Sequence, residues 1–162
     1  MQEFIVSFKA ADFHHLAGLH KLRDNYELRR NRADALKWIL DGDLKDSELR
    51  KSAFFYELKP RLVVLQNLEG ILDSNDTIYR FLSSKCRGSQ IEADWLLQNI
   101  LDSRPVYVFL IRREPDNPTV LSCCSVFSKN KKDYTQQQPR YTLLKKTKRR
   151  LGTDEVRVLY ER

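Results

Sequence analysis

Glycine and proline are scarce in this 162-residue chain, five of each, which excludes a disordered or low-complexity protein. Cysteine is scarcer still. Three thiols are an odd number, and Cys123 and Cys124 are neighbours on a predicted strand. Neighbouring strand side chains point to opposite faces, so these two are poorly placed to pair. No CxxC or Cys/His spacing suggests zinc. Buried free thiols in a reducing compartment are the plain reading, and the expected location is cytoplasmic. Long apolar runs are missing too: Val106–Ile111 is far too short to cross a bilayer. Met1-Gln2-Glu3-Phe4 lacks the basic start and cleavage site of a signal peptide. No membrane association is expected.

Motifs for bound nucleotides and metals are equally absent. There is no GxGxxG, GxxxxGK[ST], HExxH or GxSxG, and the acidic residues are scattered rather than clustered. An enzyme built from this chain is expected to work with side chains alone, without cofactor or metal.

What the chain does have is apolar content and localised charge. The 41% apolar fraction suffices for one core, so 1–162 is expected to be one domain. Of the net charge of +7, the stretch Lys129–Arg150 carries +8, from nine basic residues and one acid (Asp133), and leaves −1 for the rest. Such asymmetry points to a surface that meets a polyanion. The bland alternative is a solvated edge strand whose lysines block aggregation.

The first half, about 10–73, reads helical. Asp12 can cap a segment carrying Phe13, Leu16, Leu19 and Leu22, ending near Tyr26. Ala33–Leu40 follows and stops at Asp41-Gly42. A third segment starts near Ser47 and runs to Pro60, where a helix must break or kink. Arg61–Leu72 resumes the helical spacing, and Ser74-Asn75-Asp76 closes the helical half. The second half, about 77–160, reads as short strands: 77–82, 92–98, 106–113, 119–128, 141–148 and 155–160, separated by turn residues. The predicted fold is α+β, with N-terminal helices packed on one face of a C-terminal twisted antiparallel sheet.

Two places concentrate chemistry. All three histidines fall in Phe13–His20. On one continuous helix His15 and His20 would lie about 140° apart and could not act from one face. A single imidazole can still serve as acid or base; otherwise the histidines are polar helix-surface residues. Gly18, costly inside a helix, suggests close approach by another element or a ligand. The second place is Lys131–Thr142. Tyr134 and Tyr141 can stack on unpaired bases, while Arg140, Thr135 and Thr142 can hold a phosphate; the alternative is a long polar hairpin loop. On one strand, alternation would put Arg140 and Thr142 on a common face. Lys51-Ser52 is a third candidate, a cation and a hydroxyl at a predicted helix start, or else an ordinary solvated pair. Trp38, Trp95, Tyr107, Phe109 and Phe127 read as core.

Residues 8–19 (Phe-Lys-Ala-Ala-Asp-Phe-His-His-Leu-Ala-Gly-Leu) resemble the opening of a phage-type nuclease family of the barnase–EndoU–colicin–RelE (BECR) superfamily. Lys51-Ser52, Ala93–Leu97, Tyr107–Leu110, Asp133–Thr135 and Tyr141–Lys146 are similar to its later blocks. The resemblance implies a BECR-like fold and metal-independent RNA cleavage, by 2′-hydroxyl attack that leaves a 2′,3′-cyclic phosphate. In the block Phe-x-His-Leu-x-Gly-Leu the histidine corresponds to His15, which becomes the expected acid or base. Tyr134, Thr135 and Thr142 would position the phosphate. Lys51, Ser52, Arg140, Tyr141, Lys145, Lys146 and Lys148 would hold RNA. A phage, mobile-element or toxin role, with a cognate inhibitor or host protein as partner, is plausible by resemblance only. Two rivals stand beside this reading: a non-catalytic nucleic-acid-binding module, and a mobile-element protein that binds and inhibits a host protein. All of these functional expectations place the first-helix imidazole and the basic hairpin around one phosphate.

Overall fold

The computed structural model describes residues 2–74 and 77–162; Asn75 and Asp76, expected to end the helical half, lie outside the described residues. The order begins with a short strand, β1 (Ile5–Ser7). Six α-helices follow among the described residues: α1 (Ala10–Leu16), α2 (Tyr26–Arg30), α3 (Ala35–Asp41), α4 (Asp46–Leu49), α5 (Lys59–Gln66) and α6 (Leu68–Ser74). The strands β2 (Thr77–Arg80), β3 (Trp95–Leu101), β4 (Arg104–Arg112), β5 (Val120–Ser128), β6 (Arg140–Thr142), β7 (Lys145–Arg149) and β8 (Val156–Glu161) complete the chain. The α+β class with helices first is as expected.

Several boundaries differ from the sequence reading, each for a local reason. Helix α1 starts two residues before Asp12, whose carboxylate reaches back to accept the Lys9 backbone N–H at 3.0 Å. It ends at Leu16, because Gly18 adopts φ +80° and turns the chain into a 3-10 turn over Leu19–Lys21. Pro60 opens α5 rather than breaking a helix, since the first turn needs no backbone donor there. The predicted strand 141–148 is split at Leu143-Leu144, so β6 and β7 join different sheets.

The main sheet has the order β1-β5-β4-β3-β2-β6, and β7 and β8 form a separate two-stranded ribbon. Strand β1 runs parallel to β5, with Ile5 opposite Val120, while the other neighbours are antiparallel. The sheet is therefore mixed, which corrects the expectation of a purely antiparallel one. Residues 8–119 separate β1 from β5, far longer than the two-residue turn (Asp102 and Ser103, both at positive φ) that joins β3 to β4.

Two hydrophobic layers flank the sheet. On one face Leu16, Val64, Leu68 and Ile71 from the helices meet Ile78, Trp95, Leu97, Val108, Leu110, Leu121 and Cys123. On the other, Phe81, Leu96, Tyr107 and Phe109 are covered by Cys86, Ile91, Tyr134 and Phe127. That second face is no open concave surface, because the 83–93 and 129–139 segments roof it. Cys123 packs in the first layer and Cys124 against the second, as strand alternation requires, and both remain free thiols with Cys86. A third cluster, with Leu19, Leu22, Leu28 and Leu58 at its centre, binds the helices to each other. No helix among the described residues is long and apolar enough to cross a membrane.

Candidate active site

Strand β1 covers only Val120–Ser122 of β5, so the rest of that strand lies at an edge, and α1 and α5 both pack on β5. The cluster at this edge starts with the break at Gly18. Because the chain turns there, His20 swings back over α1, and its ring lies 4.4 Å from that of His15, with planes 12° apart. Helical geometry alone placed these two rings on different faces; the left-handed glycine stacks them. A Cβ at Gly18 would sit 2.7 Å from Cδ of Arg61. The glycine thus admits the arginine stem, the close approach that its cost in a helix had suggested.

Arg61 reaches from α5 across the edge of β5. Its guanidinium donates to the Ser125 hydroxyl at 3.5 Å and lies 5.6 Å over the Phe127 ring. It has no acidic partner among the described residues. His15 is exposed and His20 partly so, while His14 is sealed, with Nε2 unpartnered. Burial, then the positive charges of Arg61 and neighbouring groups including Arg113 and Arg32, hold His15 below its ordinary pKa. Burial and the neighbouring His15 depress His20 further, to about 4. Both imidazoles are accordingly neutral near pH 7 and able to accept a proton.

The remaining predicted site residues sit elsewhere. Ser52 donates its hydroxyl to Asp24 at 2.5 Å, and the Ala53 N–H donates to the same carboxylate at 2.9 Å. The anion expected near Lys51-Ser52 is the chain's own Asp24, and the pair lies in a turn after α4 rather than at a helix start. Tyr134 is wedged among Tyr107, Phe109 and Phe127, at ring distances of 5.4, 5.3 and 5.5 Å. The Thr135 hydroxyl and backbone N–H both donate to Asp133, which also takes a hydrogen bond from Tyr107 and an ion pair from Lys129. Those donors, Lys129 first and then Thr135, hold the Asp133 carboxyl well below the usual range. The 129–139 loop is thereby pinned to the sheet.

Arg140, Tyr141 and Thr142 form β6 at the far edge. Arg140 donates to the Thr77 hydroxyl at 3.3 Å, and Tyr141 and Thr142 are exposed. In the ribbon, Lys145 pairs with Glu161, Lys146 donates to the Leu72 carbonyl, and Lys148 is clamped by Glu69 and Asp73. Those acids raise the Lys148 pKa. The three lysines fasten the ribbon to its own strand partner and to α6.

One cross-strand row relates the two groups: Ser125, Phe109, Leu96, Tyr79 and Arg140 are successive partners on the same face. Four strand spacings of about 4.8 Å put Arg140 roughly 19 Å from Ser125 along the sheet. Buried Phe109 and Leu96 stand between them. The expectation that His15 and the hairpin cations converge on one phosphate is corrected accordingly: the cation beside the imidazoles is Arg61. Sequence reasoning missed Arg61, Ser125 and His20. Arg61 had one usable signal, a cation directly before the apolar run Leu62–Leu65 of α5.

Imidazoles that accept protons beside a free guanidinium suit chemistry at a phosphodiester, the work of a nuclease. The chain belongs to the family described as phage-Barnase-EndoU-ColicinE5/D-RelE like nuclease 4, whose model matches residues 1–162. No curated protein and no solved structure matches it.

Proposed function

We propose that the protein is a metal-independent endoribonuclease whose active centre is the His15–His20–Arg61 cluster. The observation that carries this reading is the exposed His15 ring, stacked at 4.4 Å on His20 beside a guanidinium with no acidic partner among the described residues. His15, kept neutral by partial burial and by Arg61, takes the proton from a ribose 2′-hydroxyl. The 2′-oxygen attacks the adjacent phosphorus while the bond to the 5′-oxygen breaks and that oxygen takes a proton from water, leaving a 2′,3′-cyclic phosphate and a 5′-hydroxyl. Arg61 faces the negative charge that builds on the phosphorane oxygens. Its own charge is secure, because a guanidinium stays protonated even when burial lowers its pKa. Stacked rings so close cannot both carry a charge cheaply, so His20 keeps the proton on one imidazole at a time.

Tyr134 and Thr135 then serve the loop rather than the reacting phosphate. Arg140, Tyr141 and Thr142 fit a more distant part of a bound strand. RNA is the partner and the cytoplasm the setting, with no cofactor required. A phage-borne or toxin-like nuclease of this kind calls for a cognate inhibitor, and the exposed His15 end is where it would act.

The test is RNA cleavage in excess chelator with analysis of the product ends. Cyclic phosphate ends, lost in His15→Ala at unchanged circular dichroism, support the reading. Cleavage that needs a divalent cation, or full activity in His15→Ala, overturns it. Salt-sensitive RNA binding without any product would favour the non-catalytic binding module.

A further inference from the structure

At one end of the sheet β2 and β4 finish where β3 and β5 begin. Arg80 is the partner of Trp95, Trp95 of Leu110, and Arg112 of Leu121. Arg112 lies two residues beyond Leu110 on the same strand, so Arg80, Trp95 and Arg112 share one face. Their surroundings are unusual for core. Trp95 is 5% exposed, yet its indole N–H has no partner among the described residues, and neither has Nε of Arg112. Sealed donors without partners are destabilising, and a phenylalanine or leucine would fill this space without them.

The cations here are held rather than loose. Asp94 takes Arg80 at 3.3 Å through one oxygen and the Arg112 backbone N–H at 2.8 Å through the other. So fixed, the Arg80 guanidinium lies 5.2 Å over the Trp95 ring. Two more aromatic rings border the indole. Phe4 lies 4.9 Å away, and Tyr141 stands edge-on at 5.6 Å while remaining 50% exposed. The end also adjoins α1. Arg113, next to Arg112, is paired at 2.6 Å with the buried Asp12, which precedes His15 by three residues, less than one helical turn.

We infer that this end of the sheet is a subsite for a nucleotide of the bound strand that lies away from the cleaved bond. Tyr141 stacks on an unpaired base, and Arg80 and Arg112 meet its phosphate, beside the Trp95 ring. Single-stranded nucleic acid is the ligand class that uses aromatic faces and fixed cations together. The role of the site in turnover rests on the ribonuclease reading, but its binding does not.

The experiment is a titration with a short single-stranded oligonucleotide of 2′-O-methyl riboses, which cannot be cleaved by 2′-attack. It is followed by fluorescence in a Trp38→Phe background, so that Trp95 alone reports, and by anisotropy of a labelled copy with the unaltered chain. The expected result is saturable quenching of Trp95. Binding should weaken about tenfold in Tyr141→Ala and in Arg80→Gln, and return to within about twofold in Tyr141→Phe. No binding, or binding that leaves Trp95 unquenched and ignores Tyr141→Ala, overturns the subsite and returns Trp95 to the core. His15→Ala separates the two readings: it should bind the oligonucleotide normally while cleaving nothing. If it cleaves at full rate the catalytic reading fails, and the titration still decides the subsite.

Discussion

The molecule has two basic regions, and they use their charge in opposite ways. The C-terminal ribbon carries the more conspicuous cations, but its lysines are engaged: Lys145 by Glu161, and Lys148 by Glu69 and Asp73. At the edge of β5 the charge is sparse, yet Arg61 faces the Ser125 hydroxyl and the Phe127 ring, with two imidazoles nearby and no carboxylate partner among the described residues. A charge count finds the first region and overlooks the second. What separates these two regions is whether carboxylates take up the charge, and that is a property of packing. The ribbon also shows why local charge is kept: a two-stranded hairpin is marginal by itself, and its lysines tie it to α6.

The sharpest way to break this contrast is to remove the imidazole. His15→Ala should lower RNA cleavage by about 1,000-fold, the range of a lost general base, in a gel assay with chelator present. Loss of less than a few-fold would end the special status of the β5 edge. Next in size, Arg61→Lys keeps the charge but not the planar fork, and should cost about 100-fold in kcat/KM. An equal loss from Lys148→Ala would erase the difference between the regions.

The pH dependence of stability sharpens the same comparison. His20 has its folded pKa depressed to about 4 from an ordinary value near 6.5. The unfolded chain therefore binds the proton first as pH falls. Stability from this group is complete above about pH 6.5 and is lost as pH falls through 4, by roughly 1–2 kcal/mol given its partial exposure. Urea melts at pH 7 and pH 4.5 should show the loss, and His20→Gln should flatten it.

The smallest effect is expected in the ribbon. Lys148→Ala should lower Tm only slightly, since Glu69, one of its two partners, is largely solvent-exposed and the lysine itself is partly so, and should leave the salt slope of RNA binding unaltered. Arg149→Ala, on a residue without an acidic partner among those described, should reduce that slope by about one. If Lys148→Ala produces the larger change in slope, the lysines of the ribbon bind RNA after all.

Much of the fold was legible because it rests on local rules. The apolar spacing that marks a helix over Ala33–Leu40, observed as Ala35–Asp41, and the turn at Asp102-Ser103 act within a few residues. So does the opposite facing of Cys123 and Cys124. Legibility failed where a distant partner intervenes. Strand β1 joins β5 across more than a hundred residues, and no local pattern in Ile5–Ser7 states that pairing. Pro60 can end one helix or start another, and only the packing of Leu58 and Val64 selects the second. The proposed site divides the same way: His15 stands out from the block around it, whereas only its place in α5 draws attention to Arg61.

By itself the sequence determined composition, charge asymmetry, helical and extended periodicities, and a glycine between two histidines. Each of these is a property of neighbours along the chain. Only the tertiary structure decided that Gly18 would fold one imidazole over the other, that Asp24 would occupy the hydroxyl of Ser52, and that α6 would neutralise Lys148. The reason is physical. Electrostatic and stacking energies fall off over a few ångströms, so they depend on which side chains share space, and chain order does not specify that.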